Sequence, residues 1–292
     1  MEALRASYAD SDSDADYDSE SFPVAPSRNS DDVNASSQPS LPLPPPPLSL
    51  LNPPNCAGII GYEQAGEASR IRSFPHIEGN YALHVYIPVY IPPAPRKEIT
   101  QFLTKVAACV PGIHVVDVDM PLNTPCGDLG KLEQVALGRE FHISLGRTVP
   151  IRIHQIDTIV AMLRQKLQSR KRYWIDFSKW EVFVNDDLTR TFLSIEVIKG
   201  GLAEITKQIN DVNEVYKLHN LPEFYKDPRP HISLAWALGD IRASFRRVVD
   251  EEMKKYVNAY GFVHKSVFTC RFGGIKCKIG NKTYDICRSP ED

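Results

Sequence analysis

The sequence predicts an α+β fold of two pseudo-symmetric lobes, each an antiparallel sheet with helices, around a central cleft that holds two HxS motifs. Three observations predict it. Segments with period-two alternation are interspersed with longer segments whose apolar residues recur at helical spacing. The succession strand, helix, strand occurs twice, and each time the closing strand carries HISL, at His142–Leu145 and at His231–Leu234. The chain then ends on FTCRFGGIKCKIGNKTYDIC, which reads as a hairpin with a Gly-Asn turn.

The elements follow in order. YALHVYIPV places Leu83, Val85 and Ile87 on one side of a strand. RKEITQFLTKVAACV is an amphipathic helix, IHVVDVDM a second strand, PLNTPCGDLG a loop, and REFHISL a strand again. Ile156, Ile159, Val160, Leu163 and Leu167 then mark a helix. YWIDF, WEVFVND and TRTFLSIEV read as three strands in series. From Leu202 to His219 a helix carries the stripe Ile205, Ile209, Val212 and Tyr216, with Val215 at its edge. RPHISLAWAL is a strand and DIRASFRRVVDEEMKKYV the last helix.

Residues 1–72 are expected to form a disordered acidic and proline-rich tail, and residues 73–292 the bilobal domain. The tail opens on a Ser/Asp mixture, DSDSDADYDSES, that cannot bury apolar surface. LPLPPPPLSLLNPP follows as an extended polyproline spacer, with an SH3- or WW-type partner as the alternative. Residues 1–50 hold nine acidic and two basic side chains, which leaves the rest with 27 acidic and 32 basic: a mildly basic body compatible with a polyanion. No apolar run is long enough to span a bilayer, and the acidic N-terminus has no apolar leader, so an intracellular address without membrane association is expected. The six cysteines form no CxxC pair, and neither a disulfide framework nor a zinc site is expected.

In FHISL, Phe141, Ile143 and Leu145 point one way and His142 and Ser144 the other; in PHISLAW, Ile232, Leu234 and Trp236 point one way and His231 and Ser233 the other. Each strand thus offers an apolar side to a core and a His/Ser side to a cleft. Two imidazoles suit cleavage of a phosphodiester beside a ribose 2′-OH, one accepting the 2′-OH proton and the other protonating the leaving 5′-oxygen. Two hydroxyls can donate to phosphoryl oxygens whose charge grows in the transition state. This chemistry needs no metal or other cofactor. A serine hydrolase is disfavoured, because no GxSxG elbow exists and each Ser shares a strand with its His. In EFYKDPRPHISLAW, Tyr225 can stack on a nucleobase or simply pack, and Lys226 and Arg229 can meet phosphates or solvent. His84 lies on a strand near the expected cleft and receives no role.

Together these segments resemble the 2H phosphoesterase superfamily. RIRSFPHIEGNYALHVYIPV, FHISLGR, FYKDPRPHISLAW and KCKIGNK narrow the resemblance to its U6 small nuclear RNA 3′-end processing branch, over about residues 70–288. The resemblance implies a nuclear, metal-independent 3′→5′ exoribonuclease that acts on a single-stranded RNA 3′ end as a monomer. The end it leaves is a 2′,3′-cyclic phosphate or a monophosphate. By motif position, His142 and His231 are the catalytic pair, with His142 as proton acceptor. Ser144 and Ser233 bind phosphate, Tyr225 stacks the base, and Asp227, Pro228, Arg229 and Pro230 are candidate substrate contacts. The alternatives are a 2H cyclic phosphodiesterase or 2′-5′ ligase-like enzyme acting on nucleotides or tRNA ends, and a non-catalytic RNA-binding module.

Overall fold

Strand β1 (Asn80–Tyr90) runs through the middle of the first sheet and sets its register. The computed structural model describes residues 77–118, 120–122, 129–168, 172–260 and 266–288. The acidic tail, the proline run and the boundary at residue 72 lie outside them. On one edge of β1 lie β3 (Glu140–Ser144), paired with its C-terminal half, and β4 (Val149–Arg152), paired with its N-terminal half. On the other edge lies β9 (Gly274–Ile279), followed outward by β10 (Lys282–Arg288). Gly280 and Asn281 join β9 to β10 in the anticipated two-residue turn, with Gly280 at φ +55.

The second sheet has the order β2 (Ile113–Val115), β7 (His231–Leu238), β6 (Arg190–Val197), β5 (Trp174–Val184), β8 (Phe268–Arg271), all antiparallel. Each lobe therefore contains a central strand–helix–strand unit and borrows strands from the other half of the sequence, β9 and β10 in the first sheet and β2 in the second. IHVVDVDM contributes only three residues to the second sheet before the chain turns, with Asp117 at φ 69. YWIDF and WEVFVND form one strand instead of two, because a bulge at Ser178 lets β5 bend without breaking.

Helix α1 (Pro93–Cys109) starts on prolines, which need no amide partner in a first turn, and buries Ile99, Phe102, Leu103 and Val106. Helix α2 (Leu129–Leu137) packs on α1; it falls in a stretch read from sequence as loop and its continuation. Helix α3 (Ile156–Leu167) turns Ile159, Val160, Leu163 and Leu167 inward and lies against β9 and β10. Helix α4 (Leu202–Leu218) begins after Gly201, which has φ +86 and where an added Cβ would lie 2.9 Å from the Trp174 carbonyl oxygen. Its predicted stripe is buried, Val215 included, and it packs on α3. Helix α5 (Arg242–Tyr260) covers β5 beside α1, where the Phe102 and Trp180 rings meet at 4.4 Å. Helices thus cover one face of each sheet, and the opposite faces carry the polar residues considered next.

Candidate active site

Neighbouring residues in an antiparallel register share a face. On the open face of the first sheet, His142 lies beside Pro88, Ser144 beside Tyr86, His84 beside Lys278, and Tyr86 beside Lys276. Phe141, Ile143 and Leu145 go the other way, at 3% exposure or less. On the second sheet, His231 lies beside Glu196 and Ser233 beside Ser194, while Ile232 and Leu234 enter the core. Strands β3 and β7 pack against each other, so the two His/Ser faces belong to one site. One orientation departs from simple alternation. The β6–β7 register shifts between Leu193 and Ser194, leaving Leu234 as an extra residue. Ala235 therefore takes the core side, and Trp236 turns to stack on His114 at 5.1 Å under the Arg190 guanidinium.

The two histidines have unlike surroundings. His142 meets the edge of the His84 ring at 5.0 Å and that of Tyr86 at 5.8 Å. Burial holds its pKa well below the ordinary 6.5, and the Arg139 guanidinium pushes the same way, as do His84 and His231 whenever they carry charge. His231 stacks on Phe183 at 4.0 Å, nearly parallel, and its Nδ1 lies 2.7 Å from the Arg229 carbonyl. A carbonyl only accepts, so Nδ1 carries a proton and Nε2 is the reactive nitrogen. Burial lowers its pKa too, but the Arg229 carbonyl and the Glu196 charge oppose that shift.

Arg229 and Pro230, expected as substrate contacts, both have partners within the protein. The Arg229 guanidinium donates to both Glu196 oxygens at 2.6 Å and to Glu181 at 2.7 Å, and it also lies over the Phe183 ring. Although burial opposes it, Lys179 and Arg229 hold the Glu181 carboxyl down to about 2, and Arg246 pairs with it as well. Pro230 is buried and accepts the Val197 amide at 2.8 Å. This network fixes the backbone carbonyl that orients His231. Asp227 is exposed and Pro228 partly so.

Tyr225 is 45% exposed at the approach to β7, with its hydroxyl on Asp186 at 3.0 Å. Arg147, just beyond the first HISL, pairs with the same carboxylate at 2.8 Å and sets its guanidinium 4.2 Å from the Tyr225 ring centre. The Tyr225 ring is thereby held by Asp186 at its hydroxyl and by Arg147 over its face. His84 was left without a role from sequence, yet it is 2% exposed and its Nε2 lies 3.0 Å from Ser144 Oγ. The alternation that put Leu83, Val85 and Ile87 on the core side already put His84 on the same face as the HISL polar groups. Among the described residues, no group of three or more His, Cys, Asp or Glu is placed to hold a metal ion.

Comparison with known proteins adds an independent line. Residues 44–287 match the model of the HVSL family, described as an uncharacterised conserved protein. The U6 snRNA phosphodiesterase 1 of Xenopus laevis is 30% identical over 272 residues, covering 90% of this chain and 98% of its own length. The Danio rerio protein of that name is 33% identical over 219 residues, covering 74% and 69%, and the Homo sapiens protein 31% over 219 residues, covering 74% and 73%. Among solved structures, Kluyveromyces marxianus Usb1 aligns at TM-score 0.48 and 14% identity, over 70% of this chain and 97% of that one. The HVSL match and the extent of these alignments establish that the chain belongs to the U6 snRNA phosphodiesterase 1 family.

Proposed function

We propose that this chain is a nuclear, metal-independent 3′→5′ exoribonuclease that shortens the 3′ oligouridine tail of U6 snRNA and leaves a 2′,3′-cyclic phosphate or a monophosphate. The observation that carries the reading is the convergence of two HxS strands on one cleft, each with a desolvated imidazole and an adjacent hydroxyl. His142, with burial and the Arg139 guanidinium against its charged form, rests as the neutral base and takes the 2′-OH proton. The 2′-oxygen forms a bond to phosphorus while the bond from phosphorus to the 5′-oxygen breaks. His231 delivers a proton from Nε2 to that departing oxygen, helped by the Arg229 carbonyl and Glu196, which favour its charged form. Ser144 and Ser233 donate to the non-bridging oxygens. Tyr225 stacks the terminal base of a single-stranded substrate, and one chain supplies every group, so the working unit is a monomer.

The test is incubation with a 3′-oligouridylated RNA in EDTA, with mass spectrometry of the product end. Shortening should persist in EDTA and fall by about 10²-fold or more in either His142→Ala or His231→Ala, the usual worth of a general acid or base. Full activity in either variant, or loss in EDTA, would sink the mechanism. Turnover of 2′,3′-cyclic nucleotides in preference to RNA would move the substrate to small nucleotides.

A further inference from the structure

The HxS serines raise a problem of hydrogen-bond direction. A hydroxyl has one proton. A serine that donates it to a protein neighbour has none left for a phosphoryl oxygen, and it would then oppose the developing negative charge with a lone pair. Each serine here does have such a neighbour: His84 Nε2 lies 3.0 Å from Ser144 Oγ, and Ser194 Oγ lies 3.0 Å from Ser233 Oγ. Both neighbours sit on the strand paired with the HISL strand, in register with or next to the serine's own partner.

We propose that His84 and Ser194 are positioning residues, each obliged by its burial to donate to an HxS serine so that the serine's own proton faces the phosphate. The case for His84 rests on its second nitrogen. Nδ1 is buried without a partner among the described residues. A buried orphaned N–H is rarer and more costly than an orphaned lone pair, so the proton belongs on Nε2, where Ser144 Oγ accepts it. The ring cannot turn away, being stacked on Tyr86 at 5.1 Å with His142 edge-on at 5.0 Å. Burial drives its pKa down to about 4, so at neutral pH the ring carries a single proton. The case for Ser194 is parallel. It is 0% exposed, and among the described residues its hydroxyl bonds only to Ser233. Were Ser233 the donor, the Ser194 proton would be buried without an acceptor. Ser144 and Ser233 are partly exposed, so their protons are the ones free to leave the protein. The two lobes solve the same problem with different side chains.

This inference rests on the proposed reading of the site, and the experiment separates the two. Steady-state cleavage of an oligouridylated RNA is measured for His84→Leu, His84→Gln, Ser194→Ala and Ser194→Thr, alone and with the matching Ser144→Ala or Ser233→Ala, and for His142→Ala as a control. Losing one aligned donor in the transition state should lower kcat about tenfold in His84→Leu and Ser194→Ala, with KM changed less than about twofold. Gln and Thr retain a donor at the same reach and should recover most of the rate. In the serine-to-alanine backgrounds the second change should add less than about twofold, because its route of action is gone. Unchanged kcat in both His84→Leu and Ser194→Ala, or full additivity with the serine variants, overturns the inference while an inactive His142→Ala leaves the reading of the site standing. An active His142→Ala overturns both. Ser194→Ala removes a single oxygen, so that arm decides the matter should His84→Leu not fold.

Discussion

His84 should make the folded chain acid-labile within a window that its burial defines. The ring is enclosed and neutral, with its pKa depressed from 6.5 to about 4 by burial first and the Lys278 charge second. In the unfolded chain it titrates near 6.5. Between those values the unfolded state holds a proton that the folded state refuses, so stability falls as pH falls through the window and is complete above it. At about 1.36 kcal/mol per pH unit, the whole drop corresponds to roughly 3 kcal/mol, most of it already lost at about pH 4.5. Urea unfolding at about pH 7 and about pH 4.5 measures it, with His84→Gln as the non-titrating reference. His142 and His231 titrate in both proteins and largely cancel in the comparison. Wild type should lose about 2–3 kcal/mol more than His84→Gln on acidification. Equal losses would refute the argument, since they would mean that the ring is solvated or pairs with an acceptor when charged.

Three further outcomes are expected. Glu196→Gln removes a charge that favours the protonated form of His231, so the alkaline limb of the kcat/KM profile should move to lower pH while the acid limb stays in place; stopped-time assays across pH check it. Gly146→Ala would place a Cβ 2.8 Å from the Tyr216 hydroxyl, which itself donates to the Arg147 carbonyl, and should cost about 1–3 kcal/mol in denaturant melts. Tyr225→Ala should weaken RNA binding by about 1–3 kcal/mol, the worth of one stacked base, whereas Tyr225→Phe should stay near wild type in a fluorescence titration.

What was legible in the sequence depended on how far each inference had to reach. Period-two alternation is local, so the core and cleft sides of FHISL could be read without knowing any neighbouring strand. The same local rule went wrong at Trp236, because the extra residue at Leu234 is a property of the β6–β7 pairing and not of β7. It also split β5 into two strands at a bulge that keeps the strand continuous. His84 and Ser194 were out of reach for a different reason. Their partners lie 60 and 39 residues away along the chain, and nothing in either segment states which strands will be neighbours. The carboxylate partners of Arg229, Glu181 and Glu196, were out of reach for the same reason, so from sequence this arginine beside a motif read as a substrate contact. Helix α2 went unread because a nine-residue helix with Gly130 inside it carries little periodic signal.

The lobes are related by pseudo-symmetry in their strands but not in their charges, and that difference argues for a fixed division of labour. Around His142 burial and the Arg139 guanidinium both disfavour a proton on the ring. Around His231 burial lowers the pKa and the Arg229 guanidinium adds to that, while the Arg229 carbonyl and the Glu196 charge favour a proton. Two equal imidazoles at equal pKa would share their protons between two useless microstates and two useful ones. In the proposed mechanism, pushing the values apart would select one useful state, base on the first lobe and acid on the second. Attack and departure at phosphorus are opposed in direction, so a site with a fixed base and a fixed acid binds the RNA in one orientation only. In the proposed mechanism a 3′-end enzyme needs that polarity, and the Glu196 charge beside His231 favours it.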